Sequence, residues 1–99
     1  MRKLILATIC TLPLAAAEFK GWISDSSCGV GNASGKAENR DCTESCLKNG
    51  AKAVLVTDGD QKVLKLDGGD VNSHTRHKVK ITGELKGDTL KVAKIEKAD

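Results

Sequence analysis

Hydrophobic positions follow two kinds of pattern along this chain. It opens on a continuous apolar run, Leu4 to Leu14, broken only by Thr8, Thr11 and Pro13. After residue 17 the pattern changes to short segments of period two, as expected of strands with one buried face. Phe19, Gly21 and Ile23 alternate with Lys20, Trp22 and Ser24, which predicts a strand over 18–25. Val54-Leu55-Val56 centres a β-rich run over 51–57, and Lys62 to Leu66 pairs back across the turn Asp58-Gly59-Asp60-Gln61. Val79, Ile81, Gly83 and Leu85 share one face of a strand over 77–85. Beyond the tight turn Lys86-Gly87-Asp88, a last strand over 89–96 points Leu90, Val92, Ala93 and Ile95 inward. The phase slips along that strand, which predicts a bulge.

Two stretches break the alternation. Residues 26–38 are rich in Ser, Gly, Asn and Ala and read as a loop. Asp41-Cys42-Thr43-Glu44 fits a capping box and Asn49-Gly50 a stop, so a short helix is expected over 41–49. Asp67-Gly68-Gly69-Asp70 interrupts the chain again, before a helical turn within 70–76. The expected fold is mainly β with one short helix. Five short strands in so small a chain favour a closed, OB-like barrel, because closure removes exposed edges. Gly21 and Gly83 suit strands that must bend sharply.

The opening run has the three parts of a secretory signal peptide in order. Arg2 and Lys3 supply the positive start, the apolar run follows, and Ala15-Ala16-Ala17 gives small residues for cleavage before Glu18. The run is shorter than the roughly 20 residues a spanning helix needs. A lipid anchor through Cys10 is disfavoured, since Ile9 stands where a small residue is required. Residues 1–17 are therefore expected to be a signal peptide and 18–99 a single domain. The mature protein would be exported to the periplasm or the extracellular space, without a stable membrane anchor. Cleavage removes two of 16 basic residues and none of the 13 acidic ones, so the net charge falls from +3 to about +1. That balance gives no footing for nucleic-acid binding. The remaining 82 residues carry Phe19 and Trp22 as their only aromatics. With so few aromatics, Trp22 is expected in the core rather than as an exposed stacking platform. A domain of this size often needs a disulfide or metal staple.

Several segments together resemble a family of small exported bacterial proteins of unassigned function. They are Gly21-Trp22-Ile23-Ser24-Asp25, Cys28-Gly29, Cys42-x-x-x-Cys46, Gly50-Ala51-Lys52-x-Val54-Leu55-Val56-Thr57-Asp58, His77-Lys78-Val79-x-Ile81-Thr82-Gly83 and Gly87-Asp88-Thr89-Leu90. The resemblance spans nearly all of residues 18–99. It implies a bacterial envelope location and an OB-like β-rich domain, and no particular activity.

Candidate chemistry centres on cysteine. Cleavage leaves Cys28, Cys42 and Cys46, an odd number in a compartment that permits disulfides. Cys42 and Cys46 are one helical turn apart and face the same way. At a helix start, Cys42 would gain thiolate character. A disulfide from Cys28 to Cys42 or Cys46 would tie the loop to the helix, whereas a 42–46 bond strains i,i+4 geometry. Closing such a loop stabilises by roughly 3 kcal/mol in the chain-entropy model. The alternative is a copper or zinc site built from Cys28, Cys42, Cys46, His74 and His77. The Cys-x-x-x-Cys spacing with a distant His resembles the copper site of some exported copper-delivery proteins. A thiol redox role lacks a Cys-x-x-Cys motif.

Other motifs fail. Before Gly35-Lys36, a phosphate loop would need Gly where Val30 stands, and Ser or Thr where Ala37 stands. Asp58-Gly59-Asp60 has too few carboxylates in register for a calcium loop. Asn32-Ala33-Ser34 is a formal glycosylation sequon, idle in a bacterial envelope. No nucleophile with its base, and no acid–base pair, emerges. The expectation is a non-enzymatic binding or structural domain with no cofactor, stabilised by a disulfide. Its partner would be a protein, a glycan or a small ligand met on the barrel face.

Overall fold

The structure, a computed structural model, describes residues 16–98. The expected signal peptide, apart from Ala16 and Ala17, and Cys10 with it, lie outside the described residues. The described residues form five strands: β1 (Ala16–Asp25), β2 (Ala53–Thr57), β3 (Val63–Asp67), β4 (Val79–Lys86) and β5 (Thr89–Lys97). One helix, α1 (Ala37–Lys48), lies between β1 and β2. Short 3-10 turns occupy Gly29–Asn32 and Val71–His74. The two hairpins and the turn at 71–74 fall where the alternation and the turn residues put them.

The strands form one sheet in the order β1-β2-β3-β5-β4, and β4 pairs back onto β1, so the sheet closes on itself. Every pairing is antiparallel except the parallel contact of β3 with β5. Closure depends on β1 serving two neighbours. Its first half, Ala16 to Gly21, pairs with β4, and its second half, Gly21 to Asp25, pairs with β2. Gly21 is the corner: a Cβ there would lie 2.0 Å from the Val56 carbonyl oxygen. Gly83 is the corresponding point on β4, where a Cβ would sit 2.1 Å from the Lys91 carbonyl oxygen. The register slips beside it, since Thr82 faces Lys94 while Gly83 faces Val92. The expected bulge is therefore at Ala93, which stands as the extra residue.

Ile23, Leu55, Leu64, Val71, Val79, Ile81 and Leu90 fill the interior, with Phe19, Ala53, Leu66, Val92 and Ile95 packed around them. Three expectations about facing need correction. Ala93 is exposed, because the bulge turns it out of phase. Leu85 is 39% exposed, because it lies beyond the reach of the interior cluster, near the end of β4. Trp22 is half-buried on the outer face of β1, opposite Val56, and is no part of the interior cluster. Gly35 crosses over it: a Cβ there would meet the indole at 3.0 Å.

The helix also begins earlier than the capping box suggests. It starts at Ala37 with extended Lys36 as its N-cap, so Asp41 lies within it and caps nothing. Ser34 organises the entry instead. Its hydroxyl accepts from the Lys36 N–H at 3.2 Å and from Asn39 Nδ2 at 2.6 Å. Glu38 in the first turn complements the helix dipole.

Candidate functional site: a polar anchor and an outer groove

The buried polar groups and the three described cysteines lie on or beside the long connection from Ser26 to Lys52. Its anchor points are polar. At the end of β1, Ser24 and Asp25 are fully buried. Ser24 Oγ donates to the Gly29 carbonyl at 2.7 Å. Asp25 Oδ2 accepts from the Cys28 N–H at 2.9 Å, and Oδ1 accepts from Asn32 Nδ2 at 2.8 Å. One carboxylate thus folds the start of the connection back onto the strand. Burial alone would raise the Asp25 pKa. The bonds from Asn32 and the Cys28 N–H, with smaller help from its own backbone and Cys46, outweigh burial and hold it below the ordinary carboxylate range.

Arg40 does the same for the helix. It is only 2% exposed. Nε donates to the Ser34 carbonyl at 2.8 Å, and Nη1 to the carbonyls of Ile23 at 2.8 Å and Thr75 at 2.7 Å. Nη2 donates to the Asn32 carbonyl. The guanidinium also lies 5.0 Å over the Trp22 ring, within cation–π range. One side chain therefore joins β1, the connection, α1 and the segment after β3. Burial, then the charge of Arg76, lowers its pKa, while Glu44 and Asp25 oppose this. Glu44 adds an outer clamp: Oε2 accepts from Thr75 Oγ1 at 2.6 Å, and Arg76 bridges Glu44 and Asp41.

Cys28, ahead of the first 3-10 turn, and Cys42 and Cys46, on α1, stand on elements that this framework joins. That turn packs on α1. All three are free thiols; Cys28 and Cys42 are exposed and Cys46 is half-buried. The Asp25 charge, then burial and Cys42, raise the Cys28 pKa. Burial, then the Asp25 charge and Cys42, push Cys46 up to about 11. At neutral pH both are protonated, the opposite of an activated nucleophile. Cys42 is the sixth residue of α1 and not at its start as the capping box suggested.

The histidines go elsewhere. His74 closes the second 3-10 turn, and its Nδ1 lies 2.9 Å from His77 Nε2, with the two rings nearly perpendicular. Among the described residues no three His, Cys, Asp or Glu side chains are grouped to hold a metal ion. The five-residue set drawn from the sequence therefore does not assemble: His74 and His77 face each other, and the cysteines do not supply a group of three ligands.

A second feature has only a faint signal in the sequence. Ser26, Lys52, Ala53, Val54, Val63, Lys65, Leu66 and Asp88 line a cavity of about 380 Å³ on the outer side of β2 and β3. The connection forms one end of it, where Ser26 and Lys52 exchange hydrogen bonds at 2.8 and 3.1 Å. The β4–β5 turn forms the other, where the Asp88 carbonyl accepts from the Lys65 N–H at 2.8 Å. Val63 is 41% exposed, and Gly29 of the connection lies against it: a Cβ on Gly29 would sit 3.7 Å from the Val63 methyl. The sequence signal for this groove is Val63, an apolar residue on the outward phase of β3. No known protein family, curated protein or solved structure matches this chain.

Proposed function

We propose that this protein is an exported, non-enzymatic binding domain of OB-like architecture, which takes its ligand in the groove on the outer β2–β3 face. The observation that carries this reading is the position of the groove. In OB-like barrels the face of strands 2 and 3, flanked by the β1–β2 and β4–β5 connections, is the binding surface. Here those same elements line the cavity. Support for the architecture comes from the closed strand order and from β1 bending at Gly21 to serve two neighbours. Support for export comes from the residue pattern of 1–17, and the resemblance to small exported bacterial proteins agrees with it.

The groove's chemistry narrows the ligand. Val63 gives an exposed apolar patch beside buried Val54, and Lys52 and Lys65 stand next to it. Lys65 meets Asp88 only at 3.8 Å with both side chains mostly exposed, a pair too weak to occupy the lysine. A small molecule, a glycan or a protein segment with an apolar body and a carboxylate fits. The test is a screen of acidic glycans and peptides against the protein and its Val63→Glu variant. Val63 is 41% exposed, and an unchanged circular dichroism spectrum is the check that the variant keeps the fold. Binding that disappears in Val63→Glu supports the reading. Binding that survives it, or none across the screen, overturns it. Export is tested separately by N-terminal sequencing of the recovered protein: a start at Glu18 is expected, and an intact Met1 contradicts it.

A further inference from the structure

We infer that the bond between Ala17 and Glu18 is cut only while β1 is unpaired, so that folding of the domain and removal of its signal peptide exclude each other. The inference rests on the exported reading for the identity of the bond, and on the sheet register for its protection. Ala15-Ala16-Ala17 places cleavage before Glu18. In the folded chain that bond lies inside β1, not ahead of it. Ala16 pairs with Glu84, Ala17 with Gly83 and Glu18 with Thr82. The residues that follow are tied in turn. The Glu18 carboxylate lies 3.8 Å from Lys80 Nζ. Phe19 pairs with Ile81 and packs against the interior cluster. The Lys20 carbonyl accepts from the Asp58 N–H at 2.9 Å. Gly21 pairs with Val79 on one side and Thr57 on the other, with its backbone against the Val56 carbonyl.

The step is hydrolysis by a signal peptidase. The C–N bond between Ala17 and Glu18 breaks, the hydroxyl of water goes to the Ala17 carbonyl carbon, and the Glu18 nitrogen leaves with the proton as a new amino terminus. The peptidase must draw the chain on both sides of the bond into its cleft, and backbone bonded into a sheet resists this. Among the described residues β2 joins β1 only from Gly21 onward, so one edge of residues 16–19 has no strand beside it. Access to that edge does not release the other, which β4 holds. Presenting the bond therefore means peeling residues 16–21 from β4 and drawing Phe19 out of the interior. Cutting then follows the small population of that opened state. The two orders of events give different strands. A chain cut first begins β1 at Glu18. A chain folded first keeps the Ala16–Glu84 and Ala17–Gly83 pairs, and its signal peptide with them.

The experiment incubates a signal peptidase in detergent with two forms of the full chain, residues 1–99, and follows the product beginning at Glu18 by mass. One form is the unsubstituted chain, with circular dichroism showing it folded. The other carries Gly83→Val together with Leu55→Asp. A Cβ at Gly83 would meet the Lys91 carbonyl oxygen at 2.1 Å, and Leu55 is fully buried, so this chain has two independent reasons not to fold. Its signal peptide and the residues around the scissile bond are unchanged. The unfolded form should be cut at least about tenfold faster than the folded one, because cutting of the latter waits on opening. Ile81→Ala, which removes the β4 side chain opposite Phe19, should speed cutting of the folded chain several-fold. A smaller difference between the two forms, or equal rates, overturns the inference and leaves the export reading standing. No product beginning at Glu18 from the unfolded form overturns both.

Discussion

The two sides of β1 are held by different forces. On the inner side Ile23 joins a cluster of aliphatic residues from every strand, and burial of apolar surface does the work. On the outer side α1 and the connection lie over Trp22 and Ser24, and that cover has almost no apolar material of its own. The buried residues of α1 are Arg40 and Thr43. The cover is held by Asp25 and Arg40, whose partners are mostly backbone groups. An apolar interior tolerates many sequences of the right pattern. A polar cover depends on a few groups placed within hydrogen-bond distance, and it fails when one is removed.

Substitutions on each side sharpen that contrast. The largest effect is expected from Leu55→Ala, which opens a cavity in the closed sheet. It should cost about 2–5 kcal/mol and lower Tm by about 10 °C or more, measured by thermal unfolding. Arg40→Met comes next. It keeps the bulk but leaves the Ile23 and Thr75 carbonyls without their donor, at about 1–3 kcal/mol for each orphaned group that water cannot reach. Arg40→Lys should rescue little, since an ammonium cannot fork to four carbonyls.

A pH titration of stability probes the other anchor. The Asp25 pKa is depressed in the folded protein. Its contribution is therefore present above the unfolded value, near pH 4, and is lost as the pH falls through the lower folded value. Asp25→Asn should flatten this part of the acid limb; an unchanged acid limb would show that the carboxylate does not anchor the connection. The smallest effect, and of opposite sign, is expected from Thr43→Val. The Thr43 hydroxyl is buried with no hydrogen-bond partner among the described residues. Replacing it with a methyl should be neutral or raise stability by up to about 1 kcal/mol, read from denaturant midpoints.

The same contrast explains how far the sequence could be read. Period-two alternation marks Ile23, Val79, Ile81 and Leu90 as interior, and the structure agrees. Gly21 and Gly83 were readable as bends because a closed sheet needs places without a Cβ. The cover was not readable in this way. Nothing in the period of residues 37–48 announces Arg40 as buried, and its partners come from residues 23, 32, 34 and 75. The capping box at Asp41 was a local pattern overruled by tertiary bonds. A helix of Ala37 to Lys48 with so few apolar residues has no hydrophobic stripe to bury, and that was the available hint of a polar contact. The pairing of His74 with His77, where the sequence offered them to the cysteines as fellow ligands, depends on how the segment after β3 turns and was not legible.

Hydrogen exchange on Arg40→Met, compared residue by residue with the unsubstituted protein, tests most directly whether the cover is a separately held layer. Amides of residues 26–48 should lose protection by a far larger factor than those of β2 to β5. Loss by the same factor in both regions would contradict the account, because it would make the cover and the closed sheet one cooperative unit.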